Sequence, residues 1–185
     1  MPEIRYLDRA VTVRQPWAGC IAHIGKNVEN RTWPVPPHLI GATVAVHAGK
    51  TVERHPVLSV PDGEKFATLF ASPAEWDAWR LWNLGRTRRD EANWPPKLAT
   101  GAIVAVATLA GCHQHVTGET CGDGSYAYGI ICSPWARPDQ WHWQLADVRP
   151  LPSPVPCNGS YGLWPLPDET RDQVFGQLAT AGRGT

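Results

Sequence analysis

Proline and glycine punctuate this chain more than any other feature does, with 18 prolines and 17 glycines among 185 residues. That is about a fifth of all positions, against a usual share of roughly 12%. Such density breaks the chain into short elements, so strands separated by turns are expected and long helices are few. The length suits one compact domain, or one with additions, and buries a core without disulfide staples. Basic and acidic side chains balance at 17 each, giving a net charge of zero. This opposes a broad basic coat for nucleic acid, and also a disordered charged tail. No apolar run reaches 18 residues, so no membrane-spanning helix is expected. The opening MPEIRYLDRA lacks the charged-then-apolar layout of a signal peptide. Five cysteines, an odd number with no CxxC pair, fit a reduced, cytoplasmic protein.

The elements follow from local pattern. Residues 10–14 (AVTVR) alternate and are β-branched, as a strand requires. A short helix over 17–24 is expected next, with Pro16 before it and Gly25 after it. Strands are expected at 27–33, 42–47, 101–109, 141–148, 151–156 and 161–166. The run GAIVAVATL at 101–109 is apolar enough to be buried on both faces. Residues 52–96 read as a helical insertion, with helices at 62–70 and from Ser72 to near Gly85. Ser72-Pro73-Ala74-Glu75 is a capping box. Trp76, Trp79 and Trp82 form that helix's inner stripe, and 111–128 reads as a long loop. Asp168 caps a last amphipathic helix. The expected fold is α+β, mainly β: a small β-barrel with inserted and C-terminal helices. Its organisation is an extension over 1–9, a domain over 10–167, and a C-terminal helix and tail over 168–185.

Six segments in chain order then carry a resemblance. They are Arg14-Gln15-Pro16-Trp17, Gly25-Lys26-x-x-Glu29-x-Arg31, Val46-His47-Ala48-Gly49-Lys50, Gly101-Ala102-Ile103-Val104, Trp141-His142-Trp143-x-Leu145 and Asn158-Gly159-x-x-Gly162-Leu163-Trp164. In combination they resemble the ASCH domain family, whose members are similar to PUA domains. The resemblance implies a PUA-like β-barrel and a role with RNA or another nucleic acid. Some small members are amidohydrolases of N4-acetylcytidine, and others are described as nucleases or RNA-binding modules. In the amidohydrolases a lysine matching Lys26 is the proposed nucleophile. Three residues later they carry threonine where this chain has Glu29, and their further acid has no aligned position here.

On a strand over 27–33, Asn27, Glu29 and Arg31 share one face, with Lys26 at its root. That cluster is either an ion-paired brace or a catalytic group with Lys26 and Glu29. A neighbouring carboxylate favours a protonated lysine and so opposes nucleophilic use. Arg14, Gln15 and Trp17 surround a helix start where a phosphate or a base edge can be received. Trp17 is either a stacking platform or core. His47 and Lys50 close an apolar strand beside Gly49, as ligand contacts or as structure. Trp141, Trp143 and Trp164 are further stacking candidates, while Arg86, Arg88 and Arg89 are the one basic run.

Cys112, His113, His115, Cys121 and Cys132 include zinc-ligand types. Their spacing lacks the close pairs of structural zinc sites, so no metal and no cofactor are assigned. The expected partner is RNA, single-stranded nucleic acid or a modified nucleoside at the barrel mouth, with no membrane. Arg14, Gln15, Trp17, Arg31, His47 and Lys50 are its expected contacts. The alternatives are hydrolysis of N4-acylated cytidine through Lys26 and Glu29, and a protein partner on the helical insertion.

Overall fold

A computed structural model describes residues 7–53, 61, 63–88, 94–121 and 131–181. Arg89 of the basic run, the loop expected beyond Cys121, the start of the N-terminal extension and the end of the tail lie outside the described residues. Among those described, the elements in chain order are β1 (Arg9–Gln15), α1 (Trp17–Ile24), β2 (Val28–Arg31), β3 (Thr43–Val52), α2 (Gly63–Ala67), α3 (Pro73–Asn83), β4 (Ala102–Gln114), β5 (Trp141–Pro156), β6 (Leu163–Pro165) and α4 (Asp168–Ala181). The strands form one mixed sheet in the order β2-β5-β4-β3-β1-β6. Only β1 and β3 run parallel. The fold is α+β and mainly β, as the turn-dense sequence predicts.

The apolar run of β4 is buried on both sides. Val104, Ala105, Ala107 and Leu109 join the core covered by α1, α2 and α3. Ile103 and Val106 join a second core with Trp164, Leu166 and Val174 of α4. α1 keeps its expected limits because Gly25 turns the chain out in the left-handed region, at φ 78°. Its Gly19 admits no larger residue, since a Cβ there would stand 2.9 Å from the Lys97 carbonyl. The α3 cap forms as expected: the Ser72 hydroxyl accepts the Glu75 amide at 3.2 Å. The Glu75 carboxylate reaches back to the Ala71 amide at 2.9 Å.

Three strands outrun their expected limits, the first being β3, expected over 42–47 but running on to Val52. Gly111 to Gln114 continue β4, where 111–128 was expected to be loop, because they pair with Gln144 to Trp141. The expected strands 141–148 and 151–156 are one strand, β5, which absorbs three register shifts against β4. Its proline-rich half has no strand on its outer side among the described residues. There α4 supplies a partner, as the Ser153 amide donates to Gln177 Oε1 at 2.9 Å.

The sheet is not closed by a backbone ladder, since β2 and β6 remain its edges. It is nevertheless strongly curled. In a flat sheet β2 and β1, four strand spacings apart, would lie about 19 Å from each other. Instead Arg31 of β2 donates to the Thr12 carbonyl of β1 at 2.6 Å. Side chains close what the ladder leaves open, and the gap between the two strands is a cleft.

Candidate functional site

The cleft between the curled ends of the sheet has a volume of about 920 Å³. Arg14, Trp17, Lys26, Glu29, Arg31, His47 and Lys50 all line it. Gln15, the remaining expected contact, does not. It is fully buried, donates to the Ala99 carbonyl at 2.7 Å and accepts the Gly19 amide at 3.0 Å. Its amide ties the β1–α1 turn to the chain entering β4, so its part is structural.

Lys26 and the β2 strand form the floor. β2 alternation places Glu29 and Arg31 on one face, as expected. The Glu29 carboxylate bridges two cations, with Lys26 Nζ at 2.8 Å and Arg31 Nε at 3.1 Å. Lys26 Nζ also donates to the Val28 carbonyl, and Lys26 is only 3% exposed. The Arg31 guanidinium lies 5.6 Å from the Trp143 ring.

Trp17 is held at the side of the cleft. Its indole N–H donates to Glu53 Oε2 at 2.6 Å. Arg137 covers its face at 5.4 Å and approaches the other Glu53 oxygen at 3.6 Å. A base stacking on Trp17 would have to displace that guanidinium. Arg14 and Lys50 are exposed and meet no acidic side chain among the described residues. They are the lining cations most available to an anion.

His47 anchors the opposite wall. Its Nε2 faces the Cys157 carbonyl at 3.0 Å, and its Nδ1 lies 3.3 Å from the Thr12 hydroxyl. Thr12 donates to the Ser160 carbonyl at 2.8 Å and accepts the Trp164 indole N–H at 3.1 Å. Burial lowers the His47 pKa; the Cys157 carbonyl opposes that shift and Lys50 adds to it. The shift favours the neutral ring, whose N–H on Nε2 goes to the Cys157 carbonyl, while Nδ1 rests against the Thr12 hydroxyl. His47 positions the 157–160 turn and presents no free donor. A Cβ on Gly159 would overlap the His47 ring and the Thr12 hydroxyl, so only glycine allows this approach.

Sequence reasoning missed Arg137, Glu53, Asn30, Trp135 and Tyr161, which line the same cleft. Tyr161 is fully exposed and is the freest aromatic ring at the rim. Tyr161 is expected to open the closing strand 161–166, but β6 begins only at Leu163, and nothing local in the sequence connects Tyr161 to β2. Two expected stackers have other roles: Trp143 is wholly buried and Trp164 is 6% exposed. The Trp143 indole donates to the Trp33 carbonyl at 3.0 Å. The α3 stripe also faces inward, Trp79 at 1% and Trp82 at 8% exposure, with Trp76 stacked on Trp79 at 5.6 Å. Trp76 alone of the three is part-exposed.

A second cluster lies apart from the cleft lining. His113, Cys121, Cys132 and His142 place one potential ligand atom each within 4.8 Å of all the others. Cys112 is turned to the other face of β4, where its sulfur accepts the Val35 amide at 3.3 Å. His115 stacks on His142 with ring centroids 5.9 Å apart but stays outside the four-atom group.

No protein-family model matches the chain, and no curated protein matches it. Among solved structures it is similar to that of a serine-to-alanine mutant of ZmASCH from Zymomonas mobilis. That similarity covers 95% of this chain and 98% of the other, at 13% identity and a TM-score of 0.43. What the site does is read from its own geometry.

Proposed function

We propose that the cleft binds a nucleotide, either free and modified or within single-stranded RNA. The observation that carries this reading is the lining: five basic side chains against two acidic ones, on a chain whose net charge is zero. Glu29 engages Lys26 and Arg31, which leaves Arg14 and Lys50 for phosphate. The volume falls in the range of small-ligand sites, roughly 300–1,000 Å³, so one or a few nucleotides fit better than a long track. Tyr161 at the rim supplies a stacking face, and the exposed Asn158 supplies a donor and an acceptor for a base edge, whereas the Asn30 amide is engaged with the Trp135 carbonyl and the Arg137 amide. The resemblance of the six segments to ASCH domains supports the same ligand class.

Titrations of single-stranded RNA, mononucleotides and free nucleosides at low and moderate salt test it. Arg14→Ala with Lys50→Ala should weaken every phosphate-bearing ligand alike and flatten the salt dependence by roughly one unit per lost phosphate contact. Tyr161→Ala should lower affinity by about 1–3 kcal/mol if a base stacks there. Absence of binding by the wild type, or binding indifferent to these changes, overturns the reading.

One contact favours a second reading, hydrolysis of an N4-acylated cytidine. Lys26 Nζ and the Glu29 carboxylate lie 2.8 Å apart, a pair in which Glu29 can carry the proton for Lys26 acting as nucleophile or activated base. The ammonium is, however, already committed to two protein acceptors, so binding is the better supported function. Incubation with N4-acetylcytidine and chromatography for cytidine separates the two. An unchanged rate in Lys26→Ala removes the mechanism.

A further inference from the structure

Four side chains with soft or imidazole donors converge at the far end of the β4–β5 pair, and the cleft uses none of them. His113 and His142 are direct cross-strand partners, so both rings lie on one face of the sheet. His142 Nδ1 lies 3.3 Å from His113 Nε2, 3.3 Å from Cys132 Sγ and 3.5 Å from Cys121 Sγ. A tetrahedral zinc with Zn–N near 2.0–2.1 Å and Zn–S near 2.3 Å separates its ligand atoms by about 3.3–3.8 Å. The three spacings about His142 match those edges. On its other side His142 Nε2 lies 2.8 Å from the Arg137 carbonyl. That bond fixes the tautomer, keeping the N–H on Nε2 and turning the Nδ1 lone pair to the cluster, as outer partners of metal-bound histidines do.

We propose that His113, Cys121, Cys132 and His142 form a closed structural zinc site. Two thiolates and two imidazoles suit zinc among the common divalent ions, and four protein ligands leave no position open for chemistry. On binding, each cysteine forms a Zn–S bond and gives its thiol proton to solvent, so two protons leave per metal bound. Neither Cys121 nor Cys132 lies in a strand, and the metal ties both to the β4–β5 pair. Spacing hid the site: the ligands stand singly, separated by seven, ten and nine residues, with no close pair to reveal them.

Metal analysis of full-length protein purified from zinc-supplemented cells should give about one zinc per chain. Reconstitution with cobalt(II) should give the intense visible absorption of a tetrahedral site and a thiolate-to-cobalt band in the near ultraviolet. Cys121→Ser with Cys132→Ser should reduce both to background, whereas Cys157→Ser should keep them. If the double variant does not fold, a strong chelator applied to the wild type should lower its Tm, and added zinc should restore it. Wild-type protein that lacks zinc and yields only the weak cobalt spectrum of an aqueous-type site overturns the proposal, as does a Tm indifferent to chelation.

Discussion

Glu29 holds Lys26 and Arg31 with its two oxygens, and with them the floor of the cleft. Replacing a buried pair by removing one member commonly costs about 3–5 kcal/mol, because the other charge stays buried without it. These three residues are therefore as much a brace as a site. His47 makes the same point with a pH signature. Its pKa in the fold is lowered by burial from 6.5. Below that value the unfolded chain binds the proton more readily than the folded one, so stability falls with falling pH. The contribution is fully present above about pH 6.5 and is lost as pH falls toward the folded value, below which the loss levels off. Thermal melts from neutral to mildly acidic pH should show a shallower decline in His47→Asn than in the wild type. Equal slopes in the two proteins would exclude His47 as the source.

Among the elements, α3 shows how much local chemistry alone can specify. Its serine cap is readable in four letters, and the hydroxyl does accept the Glu75 amide. Ser72→Ala should cost about 1 kcal/mol, which for a chain of this size lowers Tm by roughly 2–4 °C. A melt unchanged by the substitution would mean that the cap adds nothing. α1 was equally legible, with Gly25 supplying the left-handed exit that ends it. β4 and β5 were less so. Residues 111–114 (GCHQ) carry no strand pattern, yet they extend β4 because Trp141 to Gln144 lie opposite with free backbone groups. Burial of backbone N–H and C=O groups must be matched by hydrogen bonds, and that demand overrides weak side-chain preference.

The whole molecule is organised by the curl of one sheet whose ends meet through Arg31. Arg31→Met removes the donor to the Thr12 carbonyl, an interaction of the charged class worth about 1.5–3 kcal/mol, and with it one of the two cations held by Glu29. Hydrogen exchange in β2 should quicken and ligand affinity should drop. The α4 side of the sheet, which belongs to the second core, should keep its protection. Uniform loss of protection would show that the closure is not local. Arg137 joins the two sites described above: its side chain lines the cleft, and its carbonyl accepts the His142 ring N–H.

The sequence by itself determined the short elements, their caps and the residue types gathered near Lys26, because turn chemistry, periodicity and capping act within a few positions. It also supplied seven of the eight side chains expected at one mouth and found lining one cleft. Tertiary structure alone decided which of them remain available. Trp17, His47 and Lys26 are spent on Glu53, Cys157 and Glu29, while Arg14, Lys50 and Tyr161 stay open to solvent. It also decided that His142 replaces Cys112 and His115 beside His113. Both outcomes depend on strand register and sheet curl, which sum contacts between residues far apart in the chain and leave no local signature in it.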